Sequence, residues 1–286
     1  MRTVTTRAEL EQTLAQLRRP IALVPTMGAL HAGHAALITA ARRTAATVVV
    51  SIFVNPRQFG SAAEVARYPR PLEADQQRAE AAGADLLFVP GVDQMYPPKE
   101  FVANVEPGPL ASRLEGASRP GHFAGVATVV SRLFDLVHPA HAYFGEKDAQ
   151  QVRVIEWLTA QRSDQISIHR VVTVRDSDGL ALSSRNQMLS AAGRAAAARS
   201  IPVALSLIAE AYASGVTSVA VLRALAEQVL AAEPSLALDY LDFAKSATLE
   251  PLAEEAQVGD AASGEVLVSL AAVVDGVRLI DAITLP

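Results

Sequence analysis

At 286 residues the chain can bury a core in two domains or one large one, and 50% hydrophobic with only 19% charged residues, against a usual ~25%, argues against disorder. Its 25 basic and 30 acidic residues give a net charge of −5 with no block of like charge, which argues against a polybasic binder of nucleic acid or anionic lipid. With no cysteine there is no disulfide, no thiolate zinc site and no thiol nucleophile. The first residues lack the apolar stretch of a secretory signal, and Thr6-x-x-Glu9 ahead of Leu10, Leu14 and Leu17 reads as a helix capping box. The long uncharged stretch 20–41 is interrupted by Pro20, Pro25, Gly28, His31, Gly33 and His34, so it does not span a membrane. A cytoplasmic protein without nucleic-acid or membrane partners is expected.

Along residues 1–173 short apolar runs alternate with amphipathic stretches of helical period, the pattern of parallel strands joined by crossover helices. The expected strands are 21–24, 48–54, 86–89, 142–144 and 166–174, and the expected helices 34–43, 72–82, 124–137 and 149–161. Residues 91–122 are the least regular, punctuated by Met95-Tyr96-Pro97-Pro98, Pro107-Gly108-Pro109 and Arg119-Pro120-Gly121-His122, as loops near a mouth are. Past Val174 two alanine-rich helices at 191–213 and 217–232 precede β-like runs at 239–243, 266–274 and 278–280, and Asp275-Gly276 marks a hairpin. The expected fold class is therefore α/β: a Rossmann-like parallel sheet in an N-terminal domain, 1–173, with a smaller α+β C-terminal domain, 174–286, hinged at Val174-Arg175-Asp176 and acting as lid or dimer domain.

Four segments carry candidate chemistry. The first, Pro25 to His34, follows the first long strand and opens a helix. Gly28 and Gly33 permit tight turning and close backbone approach, helix-start N–H groups favour anions, and His31 and His34, three apart, share a face. An isolated H-x-x-H reads equally as half a metal site or as helix decoration; the preceding strand and the two glycines favour a phosphate site. Met27 and Gly28, on the turn, join the nucleotide-binding candidates. Neither a P-loop nor a G-x-G-x-x-G fingerprint is present. In the second segment, Val50 to Gly60, the uncharged amides of Asn55 and Gln58 stand past a strand end, suited to a carboxylate or hydroxyl that must stay nucleophilic; an ordinary Asn-Pro turn is the alternative. Glu73 and Asp75 follow, candidate oxygen ligands for magnesium or simply dipole-favoured charge at a helix start.

The third segment, Tyr143 to Gln151, offers Lys147 for phosphate, Asp148 for ribose hydroxyls and Gln151 facing the same cleft as Gln58, or else a solvated turn capped by Asp148. In the fourth, Arg175 to Asn186, Ser183, Ser184 and Arg185 present the hydroxyls and guanidinium that clamp a triphosphate and stabilise leaving pyrophosphate. A hairpin turning at Asp178-Gly179 is the plainer reading of that segment, and the two are compatible.

H-x-G-H after the first strand resembles the signature of the nucleotidylyl transferase superfamily, which implies attack at the α-phosphate of ATP. Together with HFxGVxTVV at 122–130, FGEKDxQQ and DGLAxSSRN, the four segments make the chain closely similar, over essentially its whole length, to the pantothenate synthetase (pantoate–β-alanine ligase) family. The resemblance implies a homodimeric cytoplasmic enzyme of pantothenate and coenzyme A biosynthesis. Its substrates would be pantoate, β-alanine and ATP with Mg2+, joined through a pantoyl adenylate with release of pyrophosphate and then AMP. It implies His34 as proton donor with His31 beside it at the phosphates, and Gln58 and Gln151 at pantoate, with Asn55 and His122 as further substrate contacts. Lys147, Ser183, Ser184 and Arg185 would lie at the phosphates, Asp148 at the ribose, Gly145 and Val174 in the adenosine pocket and Asp75 at magnesium. Leu182 stands where the family usually has Met, and Ala74 interrupts what is often a fuller acidic run.

Overall fold

A computed structural model describes residues 1–100, 102–260 and 264–286. They form two compact units. The first opens with β1 (Arg2–Val4) and α1 (Arg7–Leu14), followed by β2 (Ile21–Thr26), α2 (Ala32–Thr44) and β3 (Thr47–Ile52). A 3-10 turn at Pro56–Gln58 leads to α3 (Ala62–Arg67), α4 (Leu72–Ala82), β4 (Leu86–Phe88) and α5 (Val92–Met95). After α6 (Glu115–Ser118) come α7 (His122–Val137), β5 (His141–Gly145), α8 (Ala149–Ala160) and β6 (Ser167–Val171). The six strands form one sheet in the order β1-β4-β3-β2-β5-β6, every neighbouring pair parallel.

Strand alternation builds both cores. Ile21, Leu23, Val49, Leu86 and Phe88 pack on one face with α1 and α7, while Ala22, Val24, Val48, Val50 and Leu87 pack on the other with Leu37 and Ile38 of α2 and Ala79 of α4. Strands buried on both faces read as continuous Val/Ile/Leu runs, which is why their positions were legible in the sequence. Two differences have local causes. β1 is a three-residue edge strand held on β4, too short to leave a period. β6 stops at Val171 rather than 174, and the next residue, Val172, is 74% exposed. The capping box is present: Thr6 accepts from the Glu9 N–H, and the Glu9 carboxylate accepts from the Thr6 N–H.

The order reverses at β2. From β2 the chain lays β3 and β4 on one side, then returns to place β5 and β6 on the other. Loops leaving the carboxyl ends of β2 and β5 therefore diverge, and the crevice between them is where open α/β sheets bind ligands. The segments after Thr26 and Gly145 open onto this edge.

The second unit spans 173–286 together with residues 112–115 and 147–150. The two short segments are attached by side chains rather than by chain continuity. Gln150 accepts from the Glu115 N–H (3.0 Å) and donates to the Arg113 carbonyl (2.7 Å), and Arg278 grips the buried Glu115 carboxylate at 2.6 and 2.8 Å. The body consists of α9 (Ala191–Ala213), α10 (Val219–Ala231) and the antiparallel sheet β7 (Leu236–Lys245), β8 (Val266–Val274), β9 (Val277–Leu285). Asp275 (φ 54°) and Gly276 (φ 71°) form the two-residue hairpin turn that the Asp-Gly pair predicts.

Candidate active site

The loop after β2 is left-handed at two successive residues, Gly28 (φ 87°) and Ala29 (φ 49°). A positive φ at alanine is strained and persists only when its surroundings hold it. Here α4 does so. Asp75, 2% exposed, accepts from the N–H groups of Ala29 (2.8 Å) and Leu30 (2.6 Å), and Arg78, three residues on, donates to the Leu30 carbonyl. Gly28 is the other requirement: a Cβ there would lie 3.0 Å from the Ile52 Cγ2 and 3.1 Å from Asp75. Burial pushes the Asp75 carboxyl above the ordinary aspartate value, opposed by the two N–H donors and by Arg78.

The clamped loop delivers two imidazoles to the start of α2, which begins at Ala32, two residues earlier than the apolar period suggests, because His31 is its N-cap. The His31 Nδ1 accepts from the Gly33 N–H (3.1 Å), and the His34 Nδ1 accepts from the His31 N–H (3.2 Å), a capping box built from two histidines. An Nδ1 that accepts carries no hydrogen, so both rings hold their proton on Nε2. The ring centroids are 4.1 Å apart. Two Nε2–H donors beside a helix N-terminus are suited to an anion. Gly33 is required because a Cβ would lie 2.9 Å from the His31 ring.

Gln58 lies in the 3-10 turn after β3, the strand flanking β2 on one side, and Gln151 lies in the first turn of α8 after β5, which flanks it on the other. Gln58 is held from several directions. Its Oε1 accepts from the Asn55 Nδ2 (3.0 Å), and its Nε2 is 3.1 Å from the Met27 Sδ. Its carbonyl accepts from the His122 Nδ1 (2.9 Å) and the Arg119 Nη2 (3.1 Å). Asn55 is fully buried. Asn55 and His122, both expected to touch substrate, thus brace Gln58 in this structure. The same turn rests on α7 at Gly125, where a Cβ would come within 2.2 Å of the Arg57 carbonyl oxygen and 2.7 Å of the Gln58 N. Backbone cannot rotate away, so Gly125→Ala is expected to cost at least the ~1–3 kcal/mol of an overpacked core and to displace Gln58. Thermal melting together with the KM for each substrate checks this; an unchanged melt would contradict it.

In the second unit Val174 and Leu182 face each other across a hairpin turning at Asp178-Gly179, with the Leu182 N–H donating to the Val174 carbonyl at 3.0 Å and Gly179 at φ 83°. Beyond it Ser183 caps a 3-10 turn, Ser184–Met188, accepting from the Arg185 N–H at 3.2 Å, while Ser184 is buried. Lys147 lies 3.7 Å from Asp148 and, with Ser183 and Asn186, lines a small cavity that also meets Leu180, Ile201 and Asp281. The third and fourth segments, 36 residues apart at Lys147 and Ser183, are thus brought together by the fold.

A helix start suited to an anion, at a sheet reversal and with a braced glutamine near the same strand end, has the form expected of a nucleotide site. The family model described as Pantoate-beta-alanine ligase matches residues 2–284. The chain belongs to the pantoate-beta-alanine ligase family. A pantothenate synthetase of Nocardia farcinica is 46% identical over 270 residues, covering 94% of this chain and 80% of that protein. One of Chloroflexus aurantiacus is 46% identical over 284 residues, covering 98% and 97%. Among solved structures, a pantothenate synthetase from Thermus thermophilus superimposes with a TM-score of 0.89 at 45% identity over 99% of both chains. The pantoate-beta-alanine ligase of Francisella tularensis, complexed with beta-gamma ATP and beta-alanine, has a TM-score of 0.79 at 31% identity, over 99% of this chain and 97% of that one.

Two supporting residues carried no local signal. Tyr96 donates to Asn55 from 41 positions away, and Arg78 acts across 48. Only Tyr96 lay in a segment marked as irregular.

Proposed function

We propose that this chain performs its family's reaction, the ATP-dependent joining of pantoate and β-alanine, by way of a pantoyl adenylate. A pantoate carboxylate oxygen attacks the α-phosphorus of ATP, and the bond to the β-phosphate oxygen breaks to release pyrophosphate. The β-alanine amine then attacks the acyl carbon, and the carbon–oxygen bond breaks to release AMP. The protein's task is to align the reactants and stabilise charge on phosphoryl oxygens. The observation that carries the nucleotide half of this reading is the reciprocal capping of His31 and His34, which commits both Nε2–H groups as donors at the start of α2.

The residue roles are part of the proposal. His31, His34, Lys147, Ser183, Ser184 and Arg185 bind the phosphates, Met27, Gly28, Gly145, Val174 and Leu182 the nucleoside side, and Asp148 the ribose. Gln58 and Gln151 donate to pantoate. Magnesium would be bound as its complex with ATP, whose phosphate oxygens suit it, and would supply charge neutralisation at the phosphates. Among the described residues no three His, Cys, Asp or Glu converge on a metal centre, and both Asp75 oxygens accept backbone N–H groups. A homodimer and a cytoplasmic address, where ATP is supplied, complete the reading; light scattering tests the first.

The deciding experiment mixes enzyme, Mg-ATP and pantoate without β-alanine. The expected result is one equivalent of pyrophosphate and an enzyme-held acyl adenylate, with AMP appearing once the amine is added. Pyrophosphate release that waits for the amine would overturn the adenylate route.

A further inference from the structure

We infer that Tyr96 is a positioning residue for the acid subsite: its hydroxyl, acting through Asn55, holds Gln58 with its amide N–H2 group outward, so that the subsite selects a ligand group that accepts hydrogen bonds. The inference rests on the assignment of Gln58 to pantoate.

The orientation of each amide follows from groups whose roles are not interchangeable. The Asn55 Oδ1 is 3.2 Å from the Arg57 N–H, which can only donate, and the Asn55 Nδ2 is 3.0 Å from the Gly125 carbonyl, which can only accept. The Asn55 amide therefore has one orientation. Its second Nδ2 hydrogen points to Gln58 at 3.0 Å, and the atom that receives it must be Oε1. The Gln58 Nε2 is then turned away from Asn55, toward the end of β2, where its near neighbour is the Met27 thioether at 3.1 Å, a weak acceptor. A carboxylate or hydroxyl oxygen is a better one. An amide or amine offered at the same place would meet N–H against N–H, and a site built around one hydrogen-bond polarity rejects the other.

Tyr96 closes the chain. Its hydroxyl donates to the Asn55 Oδ1 at 2.8 Å, the second donor on that oxygen, so that reversing the amide would forfeit two bonds there rather than one. The ring is held by the Arg57 guanidinium, 4.0 Å from its centroid, and by edge-on packing against Phe53. Burial pushes the Tyr96 hydroxyl up to about 12, opposed by Arg57 and Arg132, so it remains a donor throughout the working pH range. A phenylalanine preserves the ring contacts and removes only the donor.

The test is steady-state kinetics with pantoate and ATP varied in turn, alongside thermal melting, for Tyr96→Phe, Asn55→Asp and Gln58→Ala. Tyr96→Phe is expected to raise the pantoate KM about two- to tenfold, the effect of one hydrogen bond, with the ATP KM and the melting temperature close to the parent's. Asn55→Asp replaces the Nδ2 donor by an acceptor, so Gln58 must turn to satisfy it and present Oε1 outward; a larger rise in pantoate KM is expected. An unchanged pantoate KM in Tyr96→Phe, or a rise matched by ATP, overturns the relay even where Asn55→Asp does not fold. Gln58→Ala separates the two assignments. If it raises the pantoate KM while Tyr96→Phe does nothing, the relay alone falls; if it leaves that KM untouched, the assignment of Gln58 falls and the relay with it.

Discussion

Replacing His34 by alanine is expected to lower the rate of adenylate formation about 10²–10³-fold, the usual loss when one donor to developing phosphoryl charge is removed. Alanine also removes half of the capping box, since the His34 Nδ1 accepts the His31 N–H, and a lost cap costs about 0.5–2 kcal/mol of stability. His34→Gln separates the two effects. Glutamine at the third helical position accepts the N-cap N–H well, so its melting temperature should return to near the parent's, whereas an imidazole Nε2–H is not restored and the rate should stay low. Lys147→Ala is expected to show a comparable rate loss without a cap penalty. The measurement is single-turnover pyrophosphate release from Mg-ATP and pantoate, with a thermal melt on each variant. Parent-like release by His34→Gln would remove His34 from the reacting phosphates, and parent-like release by Lys147→Ala would do the same for Lys147.

Asp75→Ala is expected to be costly in both stability and rate. Its carboxylate satisfies two backbone N–H groups in a buried loop, and leaving both unpaired costs roughly 2–6 kcal/mol at ~1–3 kcal/mol each. The loop also holds Ala29 in a left-handed conformation, so without the clamp it relaxes and the imidazoles that follow lose their placement. The rate of pyrophosphate release should fall by at least as much as in His34→Ala. A direct magnesium ligand would behave differently: the metal-free protein would melt like the parent, and added magnesium would recover part of the rate. Chemical denaturation without metal, followed by a magnesium titration of the rate, distinguishes these. A parent-like melt with magnesium rescue would assign Asp75 to the metal and remove it from the loop.

Asp75 marks how far the sequence carries. A carboxylate opening a helix two residues after Glu73 reads as a dipole-favoured charge or as a metal ligand, and nothing local reveals that Ala29 and Leu30, 46 and 45 positions earlier, place their N–H groups on it. Asn55 and His122 have the same character. Each belongs to a motif read as touching substrate, and the structure has Asn55 donating to the Gln58 side chain and His122 to its carbonyl. Motif residues identify a site more readily than they divide its labour, because residue type sets what a group can donate or accept and only the fold sets what it meets.

What the sequence determined by itself was local and periodic: doubly buried strands written as apolar runs, the Thr6 capping box, the Asp275-Gly276 hairpin, and the glycine at position 33, where a side chain would collide with the neighbouring His31 ring. These follow from interactions within a few residues, which the order of residues states directly. The tertiary structure alone decided that residues 112–115 and 147–150 join the second unit, that Lys147 and Ser183 share a cavity, and which way the amides of Asn55 and Gln58 turn. Each depends on partners tens of residues away, brought close by burial of the whole chain, and hydrogen-bond polarity exists only once the partner is in place.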